Sequence, residues 1–421
     1  MNLYIFNESS QAAVYGIGTY IHELTTAIQN NSINICLINL NQDIPNIKTE
    51  VIDSIRYWSI PVSKFEQRTI DYKKQDELYF RNVVYLLQLH IKDKTDLVFH
   101  LNVQRGSKFV EELKNAFDCK VVITIHYFNW CFKLSGNITH YRKLLRSNET
   151  DQNNELKKKI EESYHDDKNL FEIADYIHCL SKNTFQILCY DYKIDPVKLK
   201  IIPNGLVDLD QSSDEQLIRK KYNIPNIPVI LFAGRLEKAK GLIYALKAFR
   251  SILNTQPCSC HFIIVGGGSL TDHLKECEDI WTNVTWTGMI DRRKLYDLYS
   301  ITDIGIIPSF HEQCSYVAIE MMMHGLPIIG STSTSSGMNE MIKDGKTGLH
   351  VPLIEYDDRI EIDTGLLAEK MLYLVQNPHE RKRLGKNARK RYEEIYSMDI
   401  FRKNILDFYQ GFVHGKNESL T

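Results

Sequence analysis

A chain of 421 residues exceeds what one hydrophobic core usually supports, so two domains are expected. Its 43% hydrophobic and 25% charged residues match an ordinary soluble globular protein. A formal net charge of −2 argues against a general nucleic-acid binder.

The opening MNLYIFNESS lacks a charged segment followed by an apolar run, so no secretory signal is expected, and no later run reaches membrane-spanning length. A cytoplasmic protein follows, with its nine cysteines as buried, reduced thiols; Cys258-Ser-Cys260 fits neither a zinc knuckle nor a thioredoxin motif. Leu3–Phe6 reads as a buried strand. Gly16-Ile17-Gly18 then opens a helical pattern through Tyr20, Ile21, Leu24 and Ile28. Strand, glycine turn and helix would let backbone N–H groups approach an anion, although glycines serving only a tight turn look the same. Ile33–Leu40 and Val51–Ile60 read as further strands, residues 66–92 as a long amphipathic helix. Asp96–His100 follows as a strand, Gly106–Phe117 as a helix, and Lys120–His126 as a strand ending on a histidine.

From Tyr127 to Asp167 an aromatic and basic half precedes a polar, charged one. Too poor in apolar residues for a core, it reads as one or two helices over the mouth of the first domain. A lid or acceptor-site wall is expected, and the aromatic-basic half leaves a peripheral membrane contact open. Strand Tyr176–Leu180, helix Ser181–Tyr190 and strand Leu199–Ile202 lead to Pro203-Asn204-Gly205. Residues 206–226 are polar and turn-rich, the best interdomain linker. Asp208-Leu209-Asp210 resembles a metal-binding DxD but lies in that connector, so it is discounted.

A second alternating series begins at Val229–Phe232 and runs through helix Leu242–Leu253, strand His261–Val265, helix Leu270–Cys277, strand Val284–Thr287 and helix Arg292–Tyr299. Strand Ile304–Ile307, helix Tyr316–His324, strand Ile328–Gly330, a short helix at Asn339–Ile342 and strand Gly348–Val351 continue it, and helices near 363–376, 379–395 and 398–412 close the chain. The repeated alternation predicts an α/β architecture of two doubly wound units facing across a cleft. The expected division is 1–205 with a helical insertion at about 127–170, the linker 206–226, and 227–395. A final helix, 396–421, could return to the first domain.

Arg235 and Lys240 lie in GRLEKAKG, Gly234 to Gly241, just past the first strand of the second series. A phosphate there would meet backbone N–H groups, a helix dipole and two cations; a solvated basic loop capping a helix is the plainer account. Neither this loop nor Gly345-Lys346-Thr347 satisfies the Walker pattern. Gly266-Gly267-Gly268 permits close backbone approach to a ligand or to a neighbouring loop. His126, at a strand's carboxyl end, would face the same cleft. Glu312, in the polar turn Ser309–Ser315, and Glu320, in the following helix, offer carboxylates that accept hydrogen bonds from sugar or ribose hydroxyls. A solvated loop glutamate and a helix-surface glutamate are the alternative.

Together, GRLEKAKG, the VGGG turn, the E-x7-E pair Glu312/Glu320 and SGMNEMIKDGKTGLHVP (Ser336–Pro352) resemble the group 1 retaining glycosyltransferases of GT-B fold, similar to glycosyltransferase family 4. YGIGTYIHEL, the strand ending in His126, SKNTFQIL and IPNGL extend the resemblance over nearly the whole chain. It implies two Rossmann-like domains, with Arg235 and Lys240 on the donor diphosphate. Glu320 would hold the ribose hydroxyls and Glu312 those of the transferred sugar. His126 would reach that sugar from across the cleft, Gly16 and Gly18 would line the phosphate and acceptor side, and Gly234 and Gly266 would lie along the donor. Where the family has EGFGL, this chain has Glu312-Gln313-Cys314-Ser315-Tyr316, so Gln313 or Ser315 is expected to replace backbone contacts with side-chain ones. No metal and no cofactor are implied beyond a nucleotide-diphosphate sugar as co-substrate, a UDP-sugar by frequency. The acceptor stays open among saccharide, lipid-linked glycan, small molecule and peptide. A GT-B-fold sugar-nucleotide epimerase and a catalytically silent donor-binding subunit are the rival readings.

Overall fold

A computed structural model describes residues 1–8, 16–29, 31–62, 72–102, 106–147, 155–209, 214–256 and 260–414. The chain forms two compact units. Met1–Asn129, Asn148–Pro203 and Met398–Thr421 make the first, Trp130–Ser147 and Asn204–Ser397 the second.

The first unit is built on eight strands: β1 Asn2–Glu8, β2 Asn34–Gln42, β3 Lys48–Ile52, β4 Ile55–Pro61, β5 Leu97–Leu101, β6 Cys119–Ile125, β7 Tyr176–Cys179 and β8 Leu199–Ile201. They lie in the order β3-β4-β2-β1-β5-β6-β7-β8, parallel except for the β3–β4 hairpin. The central strands β1, β5 and β6 are short apolar runs because helices cover both faces of a parallel sheet. Val51–Ile60, expected as one strand, is interrupted by a tight turn. Asp53 and Ser54 both take positive φ, 49° and 67°, the twist that a two-residue hairpin requires. The last helix, Met398–His414, packs on the Gly16–Ile28 helix within this unit, with Phe401 edge-on to Tyr20 at 6.3 Å.

The second unit has seven strands: β9 Val229–Ala233, β10 His261–Val265, β11 Val284–Gly288, β12 Ile304–Ile307, β13 Ile328–Thr332, β14 Gly348–Glu355 and β15 Ile360–Ile362. Their order, β11-β10-β9-β12-β13-β14-β15, is parallel until the antiparallel β15 edge. Strand order reverses between β9 and β12. Loops leaving neighbouring strands there turn to opposite faces, which opens a crevice at the carboxyl ends.

Two boundaries differ from expectation. Residues 130–147, expected with the first unit, pack in the second. Trp130 stacks on Tyr141 at 4.5 Å, and the Asn137 amide donates to the carbonyls of Tyr356 and Arg359 at 2.7 and 3.1 Å. Buried aromatic and amide groups inside a polar stretch hold it there, so its low average hydrophobicity misled. The 206–226 linker likewise belongs to the second unit. Leu206 is buried beneath Tyr392, whose hydroxyl donates to its carbonyl at 2.9 Å, and Asp214 caps a helix at Glu215–Lys221. Asp208 pairs with Arg389, and Asp210 lies outside the described residues.

Candidate functional site

Two loops leave the switch point of the second unit. One follows β9 as Gly234–Gly241; the other follows β12 as Pro308–Ser315. Gly241 takes φ +66°, and a Cβ on it would lie 1.9 Å from the Pro308 carbonyl oxygen, so only glycine lets the loops close. The Phe310 N–H donates to the Ala239 carbonyl at 2.9 Å and zips them together. Lys240 is thereby delivered to Glu312, its Nζ donating to Oε1 at 2.6 Å, with both side chains largely buried. Burial alone would raise the Glu312 carboxyl, but the charge of Lys240 and hydrogen bonds from Lys240 and Ser309 hold it below the usual carboxylate range. On the far side, the Gly337 N–H and Ser336 hydroxyl donate to the Glu312 carbonyl at 2.7 and 3.2 Å. Arg235 sits on the same β9 loop and pairs with Glu237 at 2.8 Å.

Glu320 is not a helix-surface residue. Only 6% exposed, it accepts from Arg292 Nε at 3.1 Å and from the hydroxyls of Tyr296 and Tyr299 at 3.5 and 3.4 Å. Ionised carboxylates are costly to bury unless paired and hydrogen-bonded, and this cradle supplies both. Arg292 escaped the sequence reading. Its signal was spacing: in RRKLYDLY, Tyr296 and Tyr299 follow it at four and seven residues, on one helical face.

The remaining loop side chains have local partners. Ser315 caps the Tyr316–Met323 helix, its hydroxyl accepting from the Ala318 N–H at 3.4 Å. Gln313 is buried against His311, the Cys314 carbonyl accepts from the Asn204 amide at 2.7 Å, and Tyr316 is buried. Ser315 is therefore engaged as a helix cap and Gln313 by its neighbour. Gly266 also has a local reason. A Cβ there would lie 1.8 Å from the Gly234 carbonyl oxygen, so this glycine and Gly234 serve the packing of adjacent loops.

In the first unit, the Gly16–Ile28 helix starts after β1 and carries Gly16 and Gly18 in its first turn. A Cβ at Gly16 would meet nothing within 4 Å among the described residues, so their packing does not demand glycine there. His126, just past β6, bonds through Nε2 to Asn102 Oδ1 at 3.0 Å and stands edge-on to Tyr20 at 4.8 Å. Since that acceptor fixes the proton on Nε2, Nδ1 presents a lone pair. Burial, aided by neighbouring His178, lowers the His126 pKa to about 3, so the ring is neutral near pH 7. Behind it, Tyr20, Thr124, His178 and His100 form a buried hydrogen-bonded chain that ends on Tyr409 of the last helix.

Among the described residues, no three His, Cys, Asp or Glu side chains gather as around a metal ion, and no helix is long and apolar enough to cross a membrane. Residues 214–391 match the sequence profile of the family described as glycosyl transferases group 1. One relative is an uncharacterized glycosyltransferase, MJ1607, of Methanocaldococcus jannaschii, 27% identical over 59% of this chain and 65% of its own length. The chain spans between 47% and 65% of the length of the curated relatives it matches. Among solved structures, sucrose-phosphate synthase from Thermosynechococcus elongatus superposes with a TM-score of 0.73 at 18% identity, over 99% of this chain and 100% of that one. HepE of Anabaena, solved in complex with UDP-glucose, gives 0.69 at 14% identity over 98% and 100%. These likenesses show the fold, which is GT-B.

Proposed function

From a chain whose residues 214–391 are a group 1 glycosyl transferase domain, we propose a glycosyltransferase that takes its sugar from a nucleotide-diphosphate donor. The observation that carries this reading is the Lys240–Glu312 pair, with Arg235 on the same loop as Lys240, set at the switch point where α/β sheets bind ligands. A diphosphate at the β9 loop would draw on Lys240 and Arg235, whose charges offset the negative charge that grows on the leaving nucleotide. Glu312 would accept hydrogen bonds from hydroxyls of the transferred sugar, and Glu320 from those of the ribose. The sugar would pass through an oxocarbenium-like state and react on the face from which the nucleotide leaves, so that configuration is retained without a protein nucleophile. His126 would meet the sugar as a neutral imidazole. The reaction would need no metal. That HepE, which shares this fold, is solved with UDP-glucose supports a uridine donor.

A melting-temperature panel of UDP, GDP, ADP and their common sugar conjugates tests the reading, because a ligand that prefers the folded state stabilises it. One uridine compound should raise the transition, and Lys240→Met should weaken its binding by about 10- to 100-fold, the range for losing a charge-assisted bond. No shift with any nucleotide, or an unchanged Lys240→Met affinity, would refute it. Chelator should leave turnover intact. Incubation with donor alone separates a transferase from an epimerase, which would consume donor without an acceptor.

A further inference from the structure

We propose that His311 is a further donor-binding residue, giving the Nδ1–H of a neutral imidazole to the same sugar hydroxyl that donates to Glu312. This deepens the nucleotide-sugar reading and rests on it.

The ring's tautomer follows from its partners. Its Nε2 lies 3.0 Å from the Gln313 amide nitrogen and 3.2 Å from the Cys131 thiol. An amide nitrogen can only donate, so Nε2 offers its lone pair and the single proton of a neutral ring sits on Nδ1. Burial, seconded by the charge of Lys240, lowers the ring's pKa to about 4 and keeps it neutral near pH 7. That Nδ1 is buried and has no hydrogen-bond partner among the described residues. A buried donor left unpaired costs about 1–3 kcal/mol, so its presence calls for an explanation.

The ring is also held firmly in place. Gly136, at φ +78°, abuts it so closely that a Cβ there would lie 2.8 Å from His311 Cβ. Ser335 pins that turn by donating to the Gly136 carbonyl at 2.7 Å, and Trp130 lies across the imidazole at 6.2 Å. Residues 130–147 thus form a wall behind the loop that carries Glu312. His311 is the sequence neighbour of Glu312, and its ring senses the charges of both Glu312 and Lys240. A hydroxyl is the oxygen that suits this place, because it accepts from Nδ1–H while donating to the Glu312 carboxylate. A phosphate oxygen could accept from the ring but would face the carboxylate with like charge.

Calorimetric titration of the full chain with UDP and with the most stabilising UDP-sugar of the panel tests this. His311→Phe should weaken the UDP-sugar by about tenfold, the loss of roughly one such bond, and leave UDP within about twofold. His311→Asn, whose Nδ2 keeps a donor near the position of Nδ1, should recover most of the loss. Gln313→Leu, which frees the tautomer, should weaken the UDP-sugar alone. Unchanged UDP binding certifies each variant as folded. The inference is overturned if His311→Phe binds the UDP-sugar as the parent does, if it loses UDP and UDP-sugar equally, or if Asn fails to rescue. A parent protein that binds neither UDP nor any UDP-sugar sinks the underlying reading, and this inference with it.

Discussion

At the carboxyl end of β12 a lysine ammonium is held by one carboxylate, and a diphosphate arriving there would compete for it. Lys240 could then turn to the phosphates while Glu312 is freed for hydroxyls, so one exchange would prepare both ends of the donor. Glu320 differs, because its carboxylate is held by three side chains of the Arg292–Ser300 helix, Arg292, Tyr296 and Tyr299. If Glu320 holds the ribose, Arg292 is a positioning residue for it. Arg292→Met should then reduce the preference for UDP over 2′-deoxy-UDP as much as Glu320→Gln does, while Lys240→Met lowers both affinities and keeps their ratio. Arg292→Lys should restore part of the preference. Competition binding of the two nucleotides gives the answer, and an unaltered ratio in Arg292→Met would reduce the cradle to a structural role.

At the scale of elements, the closure of the β9 and β12 loops depends on Gly241. Alanine there would meet both a left-handed backbone and the Pro308 carbonyl, so the loops must part. Gly241→Ala should cost about 2–4 kcal/mol in urea unfolding and weaken UDP binding more than any loss of stability explains. Unfolding that matches the parent, with UDP affinity intact, would show that the contact can relax. The strands around this glycine and the alternation of helix and strand were legible, because periodicity and turn chemistry are local. The pairing of Lys240 with Glu312, 72 residues apart, was not expected; the resemblance assigned the one to the diphosphate and the other to the sugar. The 130–147 wall was not legible. Its docking rests on a few groups, Trp130, Gly136 and Asn137, whose partners lie about 175 to 220 residues onward, and a composition average dilutes them. Similarly, Asp53-Ser54 is not the usual Asn-Gly or Asp-Gly signal, so the β3–β4 hairpin read as one strand.

At the scale of the whole chain, both units hold histidines kept uncharged by burial, and acid should act on both. His100, His126 and His178 in the first unit, and His261, His311 and His324 in the second, all have pKa values lowered chiefly by burial. Once unfolded, each would regain a value near 6.5. Below that pH the unfolded chain takes up protons that the folded chain refuses, so stability falls as pH drops and levels off only below the folded values, about 4 for His178. Each such histidine adds a slope of about 1.4 kcal/mol per pH unit within its window. Among the described residues, the groups around His178 supply no counter-charge: Tyr20, Thr124 and the Ile202 carbonyl bond to its ring, Phe408 lies beside it, and His100 and His126 are its ionisable neighbours. Glutamine at 178 can still donate to Ile202 but cannot titrate. Urea unfolding followed from pH 7 to pH 5 should therefore lose about 2 kcal/mol less in total in His178→Gln than in the parent, most of it below pH 6.5. Trp58 is the one tryptophan of the first unit, so a chain whose other three, Trp130, Trp281 and Trp286, are replaced by phenylalanine confines the signal to the affected unit. An equal pH slope with and without His178 would mean that the folded ring takes up its proton after all, and the buried chain from Tyr20 to Tyr409 would then have to accommodate a charge.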